Sequence, residues 1–474
     1  MDSALTTKTE SGQPYHSQDE TSVGDVSWTP EEERKVVRKV DMRLIPTVWL
    51  MFVISWMDRS NLGNAKIAGL NADLHLSSTD YSLAIITFYC MLSQSFGYAI
   101  CGPLSNLIIT YVRPSIYFAS LMMIWGIATC CMGAVKTFPQ LLVLRIIVGI
   151  FEGGLTPGVY FVISSWYVPA EQAKRAAFVL SAVLLGGAFG GIIAGAVTGG
   201  MEGRYGIRGW RWLFIVEGII TIIWAMIAGF ILPDFPATCR HFTPQEKRIA
   251  TTRLKNCGTN IGDYDSDGPR LGKFQSLKLA LSDWRTWGVA GGIGLCGCAT
   301  VLPYFYPTLV NGLGYKEHVT AQYMTVPIWA VAFVCALSSG FIADRIPNHR
   351  AAFIAGWSGF AAVISIVVCV VQEYKARYIL LIFQGCGVWT SISLGVAVAT
   401  TTFQDMRPEV RAISVSLPQA IGNAANIYGA YLFPQEHAPK YLTGFAVITA
   451  TLAAGSILFA LVDFGLTRRR RNLA

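Results

Sequence analysis

The chain has 474 residues, of which 53% are hydrophobic and only 14% charged, and its mean hydropathy is +0.46. That is too apolar for a soluble protein of this length, so the composition predicts an all-α polytopic membrane protein. The net charge of +8 follows from topology and from attraction to lipid headgroups, and it does not indicate nucleic acid as a partner.

Residues 1 to about 28 carry few apolar groups and cannot bury enough surface to offset chain entropy, so they are expected to be disordered. No cleavable secretory signal is read in the polar N-terminal region, and the first span is expected to serve as the insertion signal. Thr29-Pro30-Glu-Glu-Glu33 reads as a helix start, from which a helix leads through Lys35 and Arg38 into the membrane at Leu44. Hydropathy then predicts spans near 44–64, 81–101, 115–134, 139–163, 176–198, 210–232, 286–306, 320–342, 351–371, 378–401, 411–433 and 443–465. Between the sixth and seventh lies the longest polar interruption, where Thr243-Pro-Gln-Glu246 carries a capping box and starts a short amphipathic helix, expected along the inner membrane surface. The predicted organisation is a tail over 1–43, a six-helix bundle over 44–232, a linker over 233–285, a second six-helix bundle over 286–465 and a basic tail over 466–474. With both termini inside, most of the 37 Lys and Arg fall on the cytoplasmic side, including Lys174, Arg175, Arg350 and the run Arg468 to Arg471, so both ends are assigned there.

Ionisable residues at membrane depth are costly and therefore informative. Arg145 and Glu152 stand seven residues apart in an otherwise apolar span, close to two helical turns, with Gly149 between them. Their shared face should line a polar path. Asp58, Arg59 and Glu217 add further charges, and Asp58 and Arg145 fall at similar depth, where pairing would lower the burial cost of each. Glu152 and Glu217 are candidates for loading and releasing a proton. Arg145 and Arg59 are candidates for a solute carboxylate, because the guanidinium fork offers paired donors to two oxygens. A permanent structural ion pair is the alternative use of these charges. In the second half the polar candidates are Gln384, Gln419, Asn423 and Asn426 with Tyr304, Tyr306 and Trp389; interhelical hydrogen bonding is the alternative for the amides. The Gly186 to Gly195 run lets the fifth span approach a neighbour closely. The eleven cysteines lack disulfide or metal-ligand spacing, and the six histidines fall in tails and loops. No cofactor is expected, and the enzyme reading is rejected.

Several motifs together carry a family resemblance: Asp41-Met-Arg43-Leu-Ile-Pro46 with Asp58-Arg59-Ser-Asn61-Leu-Gly-Asn64, Arg145 through Gly158, Ser165-Trp166-Tyr167 with Arg175, Gly209-Trp210-Arg211-Trp212 through Glu217-Gly218, Leu232-Pro-Asp234-Phe-Pro236, Asp283-Trp284-Arg285-Thr286-Trp287, Asp344-Arg345, and Gly422-Asn423 with Phe433-Pro434. From about Asp41 to Phe464 the chain resembles the major facilitator superfamily, and within it the fungal allantoate permease branch of anion:cation symporters. The resemblance implies twelve helices in two six-helix halves built from inverted three-helix repeats, alternating access around a midplane site, and uptake of a small organic acid with protons. By that resemblance Asp58, Arg59, Arg145, Glu152 and Glu217 correspond to the family's membrane-embedded charges, and Asp344-Arg345 to the superfamily's short cytoplasmic loop motif that helps latch one state. The site expected from the residues and the resemblance together is substrate binding at Arg59, Asn61, Arg145, Gln384 and Asn423, proton coupling at Asp58, Glu152 and Glu217, and gating at Asp344 and Arg345. Where the family usually shows Glu-x-Pro-Ser-Asn, this chain reads Gly102-Pro-Leu-Ser105-Asn106, a departure that leaves room for a pathway-specific carrier, an exporter included. The fifth span lacks the Gly-Pro of drug:proton antiporters, which favours uptake. The expectation is a monomeric carrier in the plasma membrane whose partners are protons, a small organic anion and the bilayer; a non-transporting membrane sensor is the remaining alternative.

Overall fold

Helix α1 (Pro30–Ala65) starts where the sequence places its signals: Glu32 N donates to Thr29 Oγ1 at 3.3 Å and Thr29 N donates to Glu32 Oε2 at 2.9 Å. Three glutamates in the first turn complement the positive end of the helix dipole. The computed structural model describes residues 28–92, 108–109, 111–256, 273–315, 317–346, 349–371, 373–403, 405–438 and 440–473. The N-terminal tail and the Gly102–Asn106 departure therefore lie outside the described residues.

Helix α1 runs into a π-helical turn, Lys66–Leu70, in which Gly69 takes φ +108°. The first half continues with α2 (Ser78–Leu92), α3 (Pro114–Met132), α4 (Phe138–Gly153), α5 (Leu155–Trp166), α6 (Pro169–Gly200) and α7 (Gly209–Ile231). The linker contributes α8 (Pro244–Asn256) and α9 (Lys273–Ser282). In the second half, α10 (Trp284–Gly297) passes through a 3-10 segment, Cys298–Tyr304, into α11 (Tyr306–Gly312), followed by α12 (His318–Tyr323), α13 (Val326–Arg345), α14 (Arg350–Val370), α15 (Tyr374–Thr402), α16 (Pro408–Gly429) and α17 (Leu442–Leu473). No strand occurs among the described residues. Among the described residues, ten spans are long and apolar enough to cross a bilayer by themselves. The second span, of which Ser78–Leu92 is described, and the eleventh, α16 with its polar Gln419, Asn423 and Asn426, bring the architecture to twelve helices.

Some expected spans are subdivided. The fourth is split between α4 and α5 at Gly154, the seventh is interrupted by the 3-10 segment containing Pro303, and the eighth is divided between α12 and α13. Hydropathy does not register such breaks, because the residues at them are as apolar as their neighbours.

Within the first half α1 packs on α6, α2 on α4, and α3 on α7; within the second α10 packs on α16 and α17, α13 on α15, and α14 on α15 and α17. The halves meet along α6–α13 and α2–α16, two contacts that interchange when the halves are exchanged. The α6–α13 seam depends on glycine. A Cβ at Gly187 would overlap the Trp329 ring, and one at Gly195 would lie 2.6 Å from Tyr323. Hydrogen bonds that join the halves gather at the end remote from the termini: Tyr81 Oη to Tyr304 O at 2.9 Å, Ser82 Oγ to Ala430 O at 2.7 Å, Thr198 Oγ1 to Gln322 Oε1 at 2.7 Å and Gln322 Nε2 to Asn64 O at 3.2 Å. That end is closed.

At the other end α8, the linker helix expected from the sequence, docks on α1 and α6. Its Thr243–Glu246 capping box forms, with Thr243 N on Glu246 Oε2 at 2.8 Å and Glu246 N on Thr243 Oγ1 at 3.3 Å. Lys39 of α1 pairs with Glu246 at 2.8 Å, and Arg253 joins Glu33 of α1 to Glu171 of α6 while Ile249, Ala250 and Leu254 are buried. The Arg253 bridges tie the linker to the N-terminal half, which no local sequence pattern reveals.

Partial burial pushes the Glu246 carboxyl up, but hydrogen bonds from Lys39 and the Thr243 backbone outweigh it and hold the group below its ordinary value of 4.5. A depressed carboxylate contributes stability that is complete above the unfolded value and lost as pH falls through the folded one. Amide exchange over 244–256, corrected for intrinsic rates, should be unchanged from pH 8 to pH 5 and rise below about pH 4.5. Lys39→Met should produce the same loosening at pH 7.

Candidate transport site

Three helices bring the membrane-embedded charges together. On α4 the buried face repeats as Leu141, Arg145, Val148, Gly149 and Glu152, so the seven-residue spacing does put both charges inward. On α1 Ser55, Asp58 and Asn61 follow one another at three-residue spacing and are buried. On α7 Glu217 and Thr221, four residues apart, face them. Arg145, Glu152 and Glu217 are each 1% exposed and Asp58 is 4% exposed, so every one of these charges depends on protein groups for solvation.

One ion pair forms at the centre. Arg59 Nε lies 2.6 Å from Glu152 Oε1, and Ser55 Oγ donates to the same oxygen. The Arg59 guanidinium also lies 5.0 Å from the Trp56 ring and 5.7 Å from the Phe88 ring. The depth argument allowed an Asp58–Arg145 pair, and no such pair is present. Asp58 Oδ2 instead accepts from Trp125 Nε1 at 3.1 Å and Thr221 Oγ1 at 3.4 Å, and the Glu217 carboxyl lies within hydrogen-bonding reach of Asp58.

Arg145 is placed differently. Its guanidinium centre is 6.0 Å from the Phe88 ring and 5.9 Å from the Phe214 ring. Nε and Nη2, which form one edge of the fork, have no hydrogen-bond acceptor among the described residues, and neither polar atom of the Asn61 amide has a partner among them. Asp58 Oδ1, Glu152 Oε2 and both Glu217 oxygens are equally unmatched. Buried polar atoms are nearly always paired, so a cluster of unmatched ones marks where a ligand or a proton would be held. The same chain shows what this arginine edge can do: Arg175 Nε and Nη2 hold Asp41 Oδ1 and Oδ2 at 2.6 and 2.8 Å.

Aromatic rings from both halves meet in a row. Tyr306 and Trp329 have ring centroids 5.7 Å apart, Trp329 and Trp389 5.0 Å, and Trp389 and Trp56 5.7 Å. Sequence reasoning named Tyr306 and Trp389 but missed Trp56, Trp329, Trp125 and Thr221; the neighbourhood of Trp56 to Asp58 was the available signal. Other named residues have partners of their own. Gln384 Nε2 donates to Ser365 Oγ of α14 at 2.7 Å, the interhelical use left open by the sequence. Asn423 is half-buried on α16, where its carbonyl accepts from Asn426 Nδ2 at 3.4 Å. Arg345 is exposed at the end of α13, and the Asp344 side chain lies outside the described set.

The Major Facilitator Superfamily profile matches residues 48–430. The chain belongs to this superfamily. A multi-pass membrane transporter is therefore the class of protein in which the polar cluster must be understood. Over 427 residues it is 32% identical to the MFS transporter prlL of Fungal sp. (strain NRRL 50135), covering 87% of this chain and 82% of that protein. Over 449 residues it is 27% identical to the high-affinity nicotinic acid transporter of Saccharomyces cerevisiae (strain ATCC 204508 / S288c), covering 93% and 79%. The superfamily fold is also matched, at 15% identity and a TM-score of 0.65, by the crystal structure of a bacterial homologue of the human lysosomal transporter Spinster in an inward-facing, occupied conformation, covering 91% of this chain and 97% of that one.

Removing one partner of a buried ion pair leaves the other uncompensated, at a cost of about 3–5 kcal/mol. Glu152→Gln should lower the thermal stability of the purified transporter in detergent. Combining it with Arg59→Met should recover part of that loss, giving a double-mutant coupling energy well above experimental scatter.

Proposed function

We propose that this transporter carries a small organic anion together with protons, in the direction of uptake, by alternating access between the two halves. The observation that carries the reading is the Arg145 edge: two adjacent N–H groups, buried and unmatched among the described residues, as is the buried Asn61 amide. A single carboxylate fits that edge as the Asp41 carboxylate fits Arg175. Arg59 is already neutralised by Glu152, which leaves Arg145 as the principal anchor. The motif resemblance to the allantoate permease branch supports an organic acid as the solute, and similarity to a nicotinic acid transporter is consistent with it.

The proton site in this reading is the Asp58–Glu217 pair. Two carboxylates side by side in a buried place repel each other, and a proton shared between them removes the repulsion and supplies the donor their free oxygens lack. Binding of the anion at Arg145 changes the charge beside that pair, so solute and proton occupancy are coupled through space. With both termini on the cytoplasmic side, the closed end is the outer one and the conformation is inward-facing. The protein acts as a monomer in the plasma membrane.

Cells expressing the chain should accumulate one member of a labelled panel (nicotinate, pantothenate, biotin, allantoate), more strongly at external pH 5 than at pH 7, with the difference abolished by an uncoupler. Arg145→Lys keeps the charge but loses the paired donors, and uptake kcat/KM should fall about 10- to 100-fold at normal surface expression. Glu217→Gln should abolish accumulation against a gradient while counterflow exchange continues. Absence of uptake of the whole panel, with the chain at the cell surface, would sink this reading and favour export of a metabolite, which the Gly102 departure supports.

A further inference from the structure

Lys66, the first residue of the π-helical turn that ends α1, is not used by the site described above. It forms no ion pair and no hydrogen bond with a described residue. Its Nζ lies 4.2 Å from the Tyr81 ring centroid and 5.3 Å from that of Phe305. Those rings belong to opposite halves, Tyr81 to α2 and Phe305 to the junction before α11, and they meet edge-on at 5.8 Å. The ammonium is thus held by a cation–π clamp whose jaws sit on the two bodies that must separate for this end to open. The backbone carrying Lys66 stays with the first half: Asp73, just beyond the turn, accepts from Arg208 at 2.9 Å and Trp210 at 2.7 Å.

The position of the clamp relative to the substrate anchor gives it a second role. The Tyr81 hydroxyl donates to Tyr304 O at 2.9 Å, and Phe88, seven residues farther along the same α2, stands 6.0 Å from the Arg145 guanidinium. Tyr81 and Phe88 are about two turns apart on one face of the helix, so Lys66 lies against α2 at the gate and Arg145 against the same helix at the central cluster. When the halves part, Phe305 leaves with the second half and Lys66 loses half its clamp. An ammonium that pairs with no carboxylate among the described residues then faces the opening.

We propose that Lys66 is a gated admission site for the substrate anion: clamped between Tyr81 and Phe305 while the gate is shut, and free to take the incoming carboxylate and pass it to Arg145 when the gate opens. This rests on the anion-uptake reading. A point charge on a flexible stem suits transient capture, whereas the planar fork of Arg145 suits retention. Side-dependent affinity follows, because the site is met only by solute arriving from the closed-end face.

The test uses the full chain in right-side-out vesicles with labelled nicotinate as probe. Lys66→Met should raise the influx KM about tenfold, a change of about 1.4 kcal/mol, with maximal rate within about twofold of wild type and efflux KM unchanged; Lys66→Arg should restore influx. An unchanged influx KM, or an equal rise on both faces, would overturn capture. A substrate-free arm addresses the clamp: oxidative cross-linking of a Ser82→Cys/Ala430→Cys pair, which spans the same gate, should give a lower yield in the Lys66→Met background, and an unaltered yield would overturn it. If wild-type vesicles take up no nicotinate while the cross-linking effect holds, the uptake reading fails for that solute and the gate role of Lys66 stands.

Discussion

Burying charge in a bundle surrounded by lipid is the constraint on which the rest of this structure depends. Each ionisable side chain at that depth must find a partner, neutralise, or wait for a ligand. The central cluster meets this constraint unevenly. Arg59 and Glu152 satisfy each other with help from Ser55. Asp58 accepts from Trp125 and Thr221, and Glu217 lies beside it. Arg145 rests among aromatic rings, with one edge unmatched among the described residues. The proposed proton site and solute anchor rest on these last two arrangements.

The helices around the cluster serve its access. Glycines on α6 let Trp329 and Tyr323 of the second half approach its backbone, and a line of hydrogen bonds closes the end remote from the termini. Both features are built from small residues, neutral hydrogen bonds and ring contacts. The stronger ionic ties Lys39–Glu246 and Arg253–Glu33 are kept between the linker and the N-terminal half.

Much of this was legible before any coordinates. Composition gave the membrane class, hydropathy gave the spans, and the Thr29 and Thr243 capping boxes marked helix starts because capping is set by side chains three residues apart. The inward face of α4 followed from the Arg145–Glu152 spacing. Breaks at Gly154 and in the Cys298–Tyr304 segment were not legible, since an apolar run looks the same to hydropathy whether it is straight or broken.

Charge at depth, together with the periodicity of α4, was therefore determined by the sequence alone: a polar centre with Asp58, Arg59, Arg145, Glu152 and Glu217 had to exist, because lipid does not tolerate those groups. Who pairs with whom was decided only by tertiary structure. Depth put Asp58 opposite Arg145, yet the azimuth of each helix turned Arg59 to Glu152 and Asp58 to Trp125 and Thr221. It likewise turned Gln384 to Ser365 and brought Lys66 between rings from two different halves. The physical reason is that hydropathy and spacing report position along a helix and the face a residue occupies, while a partner on another helix depends on rotation and packing, which are set by the whole bundle at once.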